Sequence, residues 1–358
     1  MNIEKIVINT LANTIDSMLN LSAQDLKLKP VIHIEGEQLL LNLCANFPSA
    51  FLKETLLPQL TKNLAEKLPQ YHVSVTIDHF IKAHRTQLMG KGLRGVKNTI
   101  AIASGKGGVG KSTVTVNLAA ALVRSGARVG ILDADIYGPS IPLMLGETLP
   151  VAVSGEHYLP VFAHGIQAMS IGYLTDGEPA LIWRGPMLAK SLIQMIDITQ
   201  WDELDYLLID LPPGTGDIQL SLVQKIPLTG AVIVTTPQTV ATLDAEKAFK
   251  MFAKTNIDVL GVIENMSLHK CSQCGHQEAI FSSGGAEALC NSFQSKLLGQ
   301  LPLDKQIGSD CDKGVPTATS GTSDLAMSFI KTALNTVIEL GKKPLNYADK
   351  FPNIVIEL

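Results

Sequence analysis

The sequence has few aromatic residues and no excess of positive charge, and each absence excludes something. Phe, Trp and Tyr make up 5% of the 358 residues. The core must therefore be built mainly from Ala, Val, Ile and Leu, as is typical of α/β proteins. The net charge of -4 argues against nucleic acid as the main partner, because binding a phosphate backbone needs a basic face.

Long apolar runs are also missing. No run approaches the ~20 residues that cross a bilayer, so we expect no membrane association. Residues 1–5, MNIEK, include an acidic side chain and are followed by polar residues, unlike a secretory signal. Cysteine is scarce, and its odd number, five, favours free thiols or metal ligands over disulfides. These features predict a cytoplasmic protein.

The chain is long enough for one large domain and one small domain. Residues 1–84 are predicted to form the small one, an α+β domain. Its helical spacing covers 3–21 and 51–68, and its strand-like patterns cover 31–34, 39–43 and 73–77. Residues 85–98 are polar, basic and Gly-rich, which predicts a linker. His79 and His84, near the exit of the small domain, are expected to be solvated.

Apolar strands alternate with helical segments over residues 99–358. This alternation predicts an α/β domain with a doubly wound, mostly parallel sheet. After an apolar run at 99–103, the expected strands are 128–132, 204–209, 231–236 and 259–263. Ligands of open α/β sheets bind beyond the carboxyl ends of the strands. We therefore expect the polar residues that follow these strands to converge on one site.

The segment Ser104–Thr113 reads SGKGGVGKST and lies between an apolar strand and a helical segment. It matches G-x-x-x-x-G-K-[ST], the P-loop pattern, in the required setting. Glycines let the backbone N–H groups turn around a phosphate. Lys111 is predicted to reach the β- and γ-phosphates, and the Ser112 hydroxyl to bind Mg²⁺. The expected ATP-binding residues are Gly105, Lys106, Gly107, Gly108, Val109, Gly110, Lys111, Ser112 and Thr113.

Carboxylates follow two of the predicted strands. Asp210 ends the 204–209 strand in the Walker-B arrangement, where a carboxylate can hold Mg²⁺ through water. Asp135 follows the 128–132 strand and is placed to orient the attacking water, although turn capping is an alternative. Asp133 is a further candidate for magnesium or structural support. Phosphoryl transfer needs mainly such positioning and charge neutralisation, so ATP hydrolysis is the expected activity.

The loop sequence GKGGVGKS, with its second lysine Lys106, resembles the deviant P-loop of ATPases related to nitrogenase iron protein and partition ATPases. This resemblance implies a homodimer in which Lys106 contacts the partner's nucleotide; a solvated charge is the alternative. It also implies that Asn265 and the region of Pro302 contact adenine.

A cysteine pair, Cys271 and Cys274, stands in CSQCGH. One chain offers a single C-x-x-C, so a tetrathiolate site needs a second copy. Two copies would suit a 4Fe-4S cluster or a Cys₄ zinc. A redox pair and half a zinc ribbon with His276 as third ligand are the alternatives. Cys44, Cys290 and Cys311 have no ligand spacing and are expected to be packing or incidental residues.

Six motifs in order resemble the Mrp family of iron–sulfur cluster carriers. They are GKGGVGKS, DADIYGPS, WRGPM, DLPPGTGD, ENMS and CSQCGH. The resemblance implies transfer of a 4Fe-4S cluster to apo iron–sulfur proteins, with assembly scaffolds as further partners. It also suggests an interface role for Arg184, with a surface salt bridge as the alternative. Residues 1–84 loosely resemble an iron–sulfur-assembly domain. The competing functions are an electron-transferring reductase and a partition or positioning ATPase.

Overall fold

The structure is a computed structural model that describes residues 3–88, 90–174, 185–271 and 273–346, without the side chains of 185–191. The chain forms two compact units. One comprises the residues up to Lys82 together with Arg124–Gly126, and the other comprises the remainder. No helix among the described residues is long and apolar enough to cross a membrane.

The first unit contains a mixed sheet and helices. In chain order its elements are α1 (Ile3–Asn13), β1 (Lys29–Glu35), β2 (Gln38–Ala45), α2 (Leu52–Thr55), α3 (Leu57–Lys67) and β3 (His72–His79). Strand β2 lies in the middle, antiparallel to β1 and parallel to β3. Alternate residues of β2, among them Leu39, Leu41 and Leu43, are buried, because successive side chains of a strand point to opposite faces.

Both helices predicted in the first unit are shorter in the structure. The helix expected over 3–21 ends at Asn13. The chain turns soon afterwards, since the Asp16 carboxylate accepts hydrogen bonds from the backbone N–H groups of Met18 and Leu19. The helix expected over 51–68 is divided into α2 and α3 at Leu56. Pro58, in the first turn of α3, has no N–H group with which to continue the α2 hydrogen bonds.

The second unit alternates strands and helices. Its elements are β4 (Val96–Ala103), α4 (Lys111–Arg124), β5 (Val129–Asp133), α5 (Ile141–Leu145), β6 (Ala152–Ser154), β7 (His157–Leu159), β8 (Val161–Ala163), β9 (Ile166–Ser170), α6 (Gly185–Ile198), β10 (Leu204–Asp210), α7 (Asp217–Lys225), β11 (Gly230–Thr235), α8 (Thr239–Lys254), β12 (Val259–Glu264), β13 (His269–Lys270), β14 (Gln277–Glu278), α9 (Gly285–Ser292), β15 (Leu297–Gln300), α10 (Lys305–Asp312) and α11 (Asp324–Leu340).

In the described part of this unit, the main sheet has eight strands in the order β15-β12-β11-β4-β10-β5-β9-β8. Neighbouring strands run parallel except for β8 and β9. Every residue of β5, β10 and β11 is buried, as expected for parallel strands covered by helices. The predicted α/β class with a doubly wound, mostly parallel sheet is confirmed.

Strand register explains why the polar residues meet. Asp210 at the end of β10 pairs with Ile102 of β4 on one side and with Asp133 of β5 on the other. The loops that follow β4, β5 and β10 therefore leave the sheet side by side at its carboxyl edge. This edge carries the P-loop and both predicted groups of carboxylates.

Part of the segment predicted as a linker belongs to the sheet. Strand β4 begins at Val96 because Val96 already pairs with Leu204 of β10. His84 is buried, contrary to the expected solvated position, and its Nδ1 lies 3.0 Å from Asn98 Oδ1. A side chain on the following strand thus provides the polar partner that allows the imidazole to be buried.

Candidate functional site

The P-loop lies between β4 and α4 and encloses a cavity of about 200 Å³. Gly108 and Gly110 have φ of +82° and +79°, values that favour glycine. Ser104 Oγ donates to the backbone carbonyl of Lys106 at 2.9 Å, which shapes the first half of the loop. The cavity is lined by Ser104, Lys106 to Thr113, Asp135, Ser140, Met144 and Pro213. The loop residues predicted to bind nucleotide are therefore together, with Gly105 directly beside this lining.

Lys111 occupies the base of the cavity. Its side chain is 6% exposed, and its Nζ lies 2.8 Å from Asp210 Oδ2. The contact is an ion pair without hydrogen-bond geometry, so the buried ammonium has no hydrogen-bond partner among the described residues. Asp210 compensates the charge of this buried ammonium, which still has N–H groups that an anionic ligand can accept from. Lys111 therefore fits a phosphate group.

Asp210 is fully buried and contacts both ends of the first turn of α4. Its Oδ2 accepts from Ser112 Oγ at 2.6 Å, and its Oδ1 accepts from Thr115 Oγ1 at 2.7 Å. A hydroxyl and a carboxylate at this spacing are the hard oxygen donors that Mg²⁺ prefers. The pair predicted to hold magnesium, Ser112 and Asp210, is thus brought together.

Asp133 is a buried carboxylate at the end of β5. Its carboxylate is fully buried and accepts from Ser170 Oγ at 3.0 Å and from the Asp135 N–H at 3.1 Å. Burial, followed by the negative charge of Asp210, raises the pKa of Asp133 to about 7. Asp133 does not line the cavity, so its contacts favour structural support over direct magnesium binding.

Asp135 does line the cavity and is half-buried. Burial raises the pKa of its carboxyl group, while the Lys111 charge lowers it and the Asp210 charge raises it further. The side chain predicted to orient water therefore faces the space in front of the P-loop. That placement is what a group acting on an attacking water needs.

Asn265 and Pro302 do not share one cavity. The Asn265 side-chain N–H donates to the Val109 carbonyl at 2.9 Å, so this residue supports the P-loop backbone. Pro302 lines a separate cavity of about 520 Å³ together with Ser267, Leu268, Lys270, Gln277, Gln300, Asp304, Asp324 and Leu325. The contacts of Asn265 and Pro302 with adenine stay predictions.

The cysteine pair lies in a short β-hairpin, residues His269–Glu278, which we call the cysteine hairpin. Strands β13 and β14 pair across it, and Gly275, with φ of +73°, lies in its turn. The Cys271 N–H donates to the His276 carbonyl at 2.8 Å, and the Gly275 N–H donates to the Cys271 carbonyl at 2.9 Å. These bonds hold the turn that carries both thiols.

The two thiols differ in exposure and acidity. Cys271 is half-buried and Cys274 is exposed. Hydrogen bonds from the backbone N–H groups of Cys274 and Gln273 lower the pKa of the Cys271 thiol, because they stabilise the thiolate. Among the described residues, no group of three or more His, Cys, Asp or Glu side chains is arranged to hold a metal ion. The cysteine hairpin therefore presents two thiols without a third such ligand arranged beside them among the described residues.

The other cysteines have different surroundings. Cys290 and Cys311 are buried, and burial raises the pKa of each thiol to about 11, which makes both unreactive. Cys311 Sγ accepts from Asn117 Nδ2 at 3.7 Å. Cys44 is half-buried on β2. All five thiols are free. Arg184, for which the sequence suggests an interface role or a surface salt bridge, lies outside the described residues.

Two contributors to the site were missed by sequence reasoning. Thr115 binds Asp210, and its position four residues after Lys111 places it on the same face of α4. Helix α8 passes against Gly105, where an added Cβ would lie 2.2 Å from the backbone carbonyl carbon of Asp244. The first feature could have been read from helical spacing. The second depends on a contact between segments about 140 residues apart, which no local pattern shows.

Comparisons with known proteins agree with this geometry. The family described as "ParA: NUBPL iron-transfer P-loop NTPase" matches residues 95–338. The chain is 57% identical over 231 residues to the iron-sulfur cluster carrier protein of Escherichia coli (strain K12), covering 64% of this chain and 63% of that relative. It is 50% identical over 292 residues to the iron-sulfur cluster carrier protein of Haemophilus influenzae, covering 81% of this chain and 78% of that relative.

A solved structure is also similar. The nucleotide-binding protein of Archaeoglobus fulgidus in complex with ADP shares 41% sequence identity with this chain, at a TM-score of 0.55. The similarity covers 62% of this chain and 87% of that one. The chain spans about 63% of the length of the Escherichia coli relative.

Proposed function

The chain belongs to the family of NUBPL-type iron-transfer P-loop NTPases, and from this premise we propose that it is an ATP-hydrolysing carrier of iron–sulfur clusters. Two copies hold a 4Fe-4S cluster as cargo between their cysteine hairpins and pass it to apo iron–sulfur proteins. Assembly scaffolds are the proposed source of the cluster. A cytoplasmic location, where free thiols persist, stays a prediction.

The proposed binding and hydrolysis of ATP depend on the buried Lys111. Lys111 lines the cavity of a loop whose glycines open the backbone toward a phosphate. ATP is proposed to place its β- and γ-phosphates there, while Ser112 and Asp210 hold Mg²⁺, which neutralises phosphate charge when bound. Asp135 then orients water in front of the loop, and hydrolysis follows mainly from positioning and electrostatics.

The ion pair between Lys111 and Asp210 joins the two groups proposed to bind phosphate and magnesium. The Lys111 ammonium lies 2.8 Å from the Asp210 carboxylate. A phosphate competes for the same ammonium, so binding is expected to release Asp210 for magnesium. The Ser112 hydroxyl, 2.6 Å from Asp210, belongs to the same rearrangement.

One observation supports the proposed binding of a 4Fe-4S cluster. Cys271 and Cys274 share an exposed hairpin turn, and no third protein ligand accompanies them among the described residues. Two thiolates cannot complete the four-thiolate set of a 4Fe-4S cluster. A second copy supplies the missing pair when the two hairpins meet across a two-fold axis.

Exposed apolar side chains near the P-loop support a homodimer. Tyr137 follows Asp135 and is 68% exposed, while Val240 and Leu243 on α8 are 63% and 53% exposed. The helix α8 contacts the P-loop directly at Gly105. Apolar side chains exposed around a charged site are typical of a surface that another protein covers. Lys106 lines the same cavity and is proposed to reach the partner's nucleotide.

The competing uses of the cysteine pair are less well supported. A thioredoxin-like redox pair opens a helix, whereas Cys271 and Cys274 lie in a β-hairpin. Zinc would need further ligands, and His276, the candidate third ligand, forms no three-ligand group with the two cysteines. A zinc site shared by two copies is distinguished from a cluster by the metal that the protein binds.

Anaerobic reconstitution with iron and sulfide tests the proposal. The wild-type chain should bind about four iron atoms per two chains, the content of one 4Fe-4S cluster. The Cys271→Ala/Cys274→Ala variant should bind almost none, because its thiolates are gone. Cys44→Ala, which removes a free thiol outside the hairpin, is the matched control and should load normally. Full iron loading of the double variant would contradict the proposed site.

A further inference from the structure

The cysteine hairpin is joined to one particular backbone segment, Leu301–Asp304, which we call the coupling segment. The coupling segment continues strand β15 and lies beside the residues that follow β12. Leu301 N–H donates to the Glu264 carbonyl at 2.8 Å, and Ser267 N–H donates to the Leu301 carbonyl at 2.9 Å. The parallel β12–β15 pairing thus extends beyond the sheet toward the hairpin.

Further bonds reach the first strand of the hairpin itself. Leu303 N–H donates to the Leu268 carbonyl at 2.8 Å. His269 Nδ1 lies 3.1 Å from the Leu303 carbonyl oxygen. Since a carbonyl oxygen only accepts, Nδ1 must carry the hydrogen in this contact. Ser267 Oγ adds a bond of 3.1 Å to the Leu301 carbonyl.

The thiols are held close to this contact. Cys271 comes two residues after His269. The hairpin is closed by the strand pairing of His269 with Glu278 and of Lys270 with Gln277. A shift of the Leu303 carbonyl would therefore move the base of the hairpin through His269. The turn bonds of Cys271 would carry that shift to both sulfurs.

The other side of the coupling segment faces the cavity of about 520 Å³, a volume in the range of small-molecule sites. Pro302 and Asp304 of the segment form part of its lining, and Lys270 and Gln277 of the hairpin form another part. A ligand in this cavity would touch both the segment and the hairpin.

We propose that His269 is a positioning residue through which the coupling segment transmits nucleotide binding to the thiol pair. The inference rests on the proposed function and on the predicted contact of adenine with the region of Pro302. Base binding changes the position of the coupling segment, and the hydrogen bond between His269 and Leu303 passes this change to Cys271 and Cys274. The coupling gives the nucleotide control over how the cargo is held.

The test measures alkylation of the cluster-free full chain by iodoacetamide, with and without ADP. Peptide mass spectrometry distinguishes Cys271 and Cys274 from the other three cysteines. In the wild type, ADP should change their alkylation rates about fivefold or more, the lower end of typical coupling between sites. ADP binding is measured separately, by calorimetry, for every variant.

His269→Ala should bind ADP with wild-type affinity, yet its Cys271 and Cys274 should react at the same rate with and without ADP. His269→Asn, whose amide can donate in place of Nδ1, should restore the ADP effect. Ser267→Ala removes a single side-chain bond from the same contact and should weaken the effect, which provides a second variant if His269→Ala does not fold.

Two results would overturn the coupling alone: an undiminished ADP effect in His269→Ala, or no ADP effect in a wild type that binds ADP. An ADP effect that came only from dimer formation would persist in His269→Ala and so counts against the proposal. Failure of the wild type to bind ADP would instead contradict the proposed function, and the coupling with it.

Discussion

At the scale of single residues, Asp210 shows what a motif reveals and what it omits. The P-loop pattern predicts Lys111 and Ser112, and the end of an apolar strand predicts Asp210. Their meeting, with an Nζ–Oδ2 distance of 2.8 Å and an Oγ–Oδ2 distance of 2.6 Å, agrees with the expected magnesium and phosphate chemistry. Thr115 completes the hydrogen bonding of Asp210. It escaped prediction because the motif ends before it, although helical spacing points to it.

Lys111 gives the most direct residue-scale prediction. Lys111→Ala should reduce ATP hydrolysis by about 100-fold or more, because a preorganised buried cation that stabilises phosphate charge is lost. Phosphate release measures the effect. Lys250→Ala, which removes an exposed lysine on α8, is the matched control and should hydrolyse ATP at the wild-type rate. Undiminished turnover in Lys111→Ala would mean that hydrolysis occurs elsewhere.

Asp133 predicts a pH dependence of stability. Its pKa is raised from 3.8 to about 7 in the folded chain, so between these values the folded state holds a proton that the unfolded state has lost. The free energy of unfolding must therefore fall as pH rises through this window and level off above it. Asp133→Asn cannot titrate, so its free energy of unfolding should fall less between about pH 5 and pH 7.5.

Urea unfolding of both proteins across that range measures the difference in slope. The contribution of Asp133 is on the order of 1 kcal/mol for each unit of raised pKa. Parallel curves for the wild type and Asp133→Asn would show that Asp133 is not protonated in the native chain near neutral pH.

At the scale of elements, the P-loop depends on a helix that is distant in sequence. An alanine Cβ at Gly105 would lie 2.2 Å from the Asp244 carbonyl carbon of α8, so backbone atoms would have to separate. Gly105→Ala should lower the free energy of unfolding by about 1–3 kcal/mol, the usual cost of overpacking. At Gly107 the nearest atom is Pro213 Cβ, at 3.9 Å. Gly107→Ala is therefore the matched control.

Urea unfolding again provides the measurement. Gly107→Ala should change the free energy of unfolding by no more than about 0.5 kcal/mol, as for a substitution without a steric conflict. Equal stability of the two alanine variants would contradict the described packing of α8 on the P-loop.

The cysteine hairpin was predictable in composition but not in surroundings. The spacing of Cys271 and Cys274, with glycine after them, predicts a tight turn with two thiols. Its contact with the coupling segment joins His269 to Leu303, 34 residues away. Such a pairing depends on the neighbouring positions of β12 and β15 in the sheet, and strand order is set by long-range packing that periodicity alone does not encode.

At the scale of the whole molecule, the alternation of apolar strands and helices was sufficient to predict the α/β class. The buried central strands β5, β10 and β11 begin and end within about a residue of their expected bounds. The strands β6 to β9 were not predicted. The strands β6, β7 and β8 have only three residues each, and the buried strand β9 is interrupted by the polar residue Gln167, so none of them forms a long apolar run.

The central claim is that a cluster needs two chains, and the mass of the metal-loaded protein tests it. Native mass spectrometry of the anaerobically reconstituted wild type should show a species of two chains carrying about four iron atoms. The prediction concerns the iron-loaded protein, and the iron-free protein can be monomeric or dimeric without affecting it. A single chain that carries the complete cluster would contradict the account, because Cys271 and Cys274 would then not be half of a shared site.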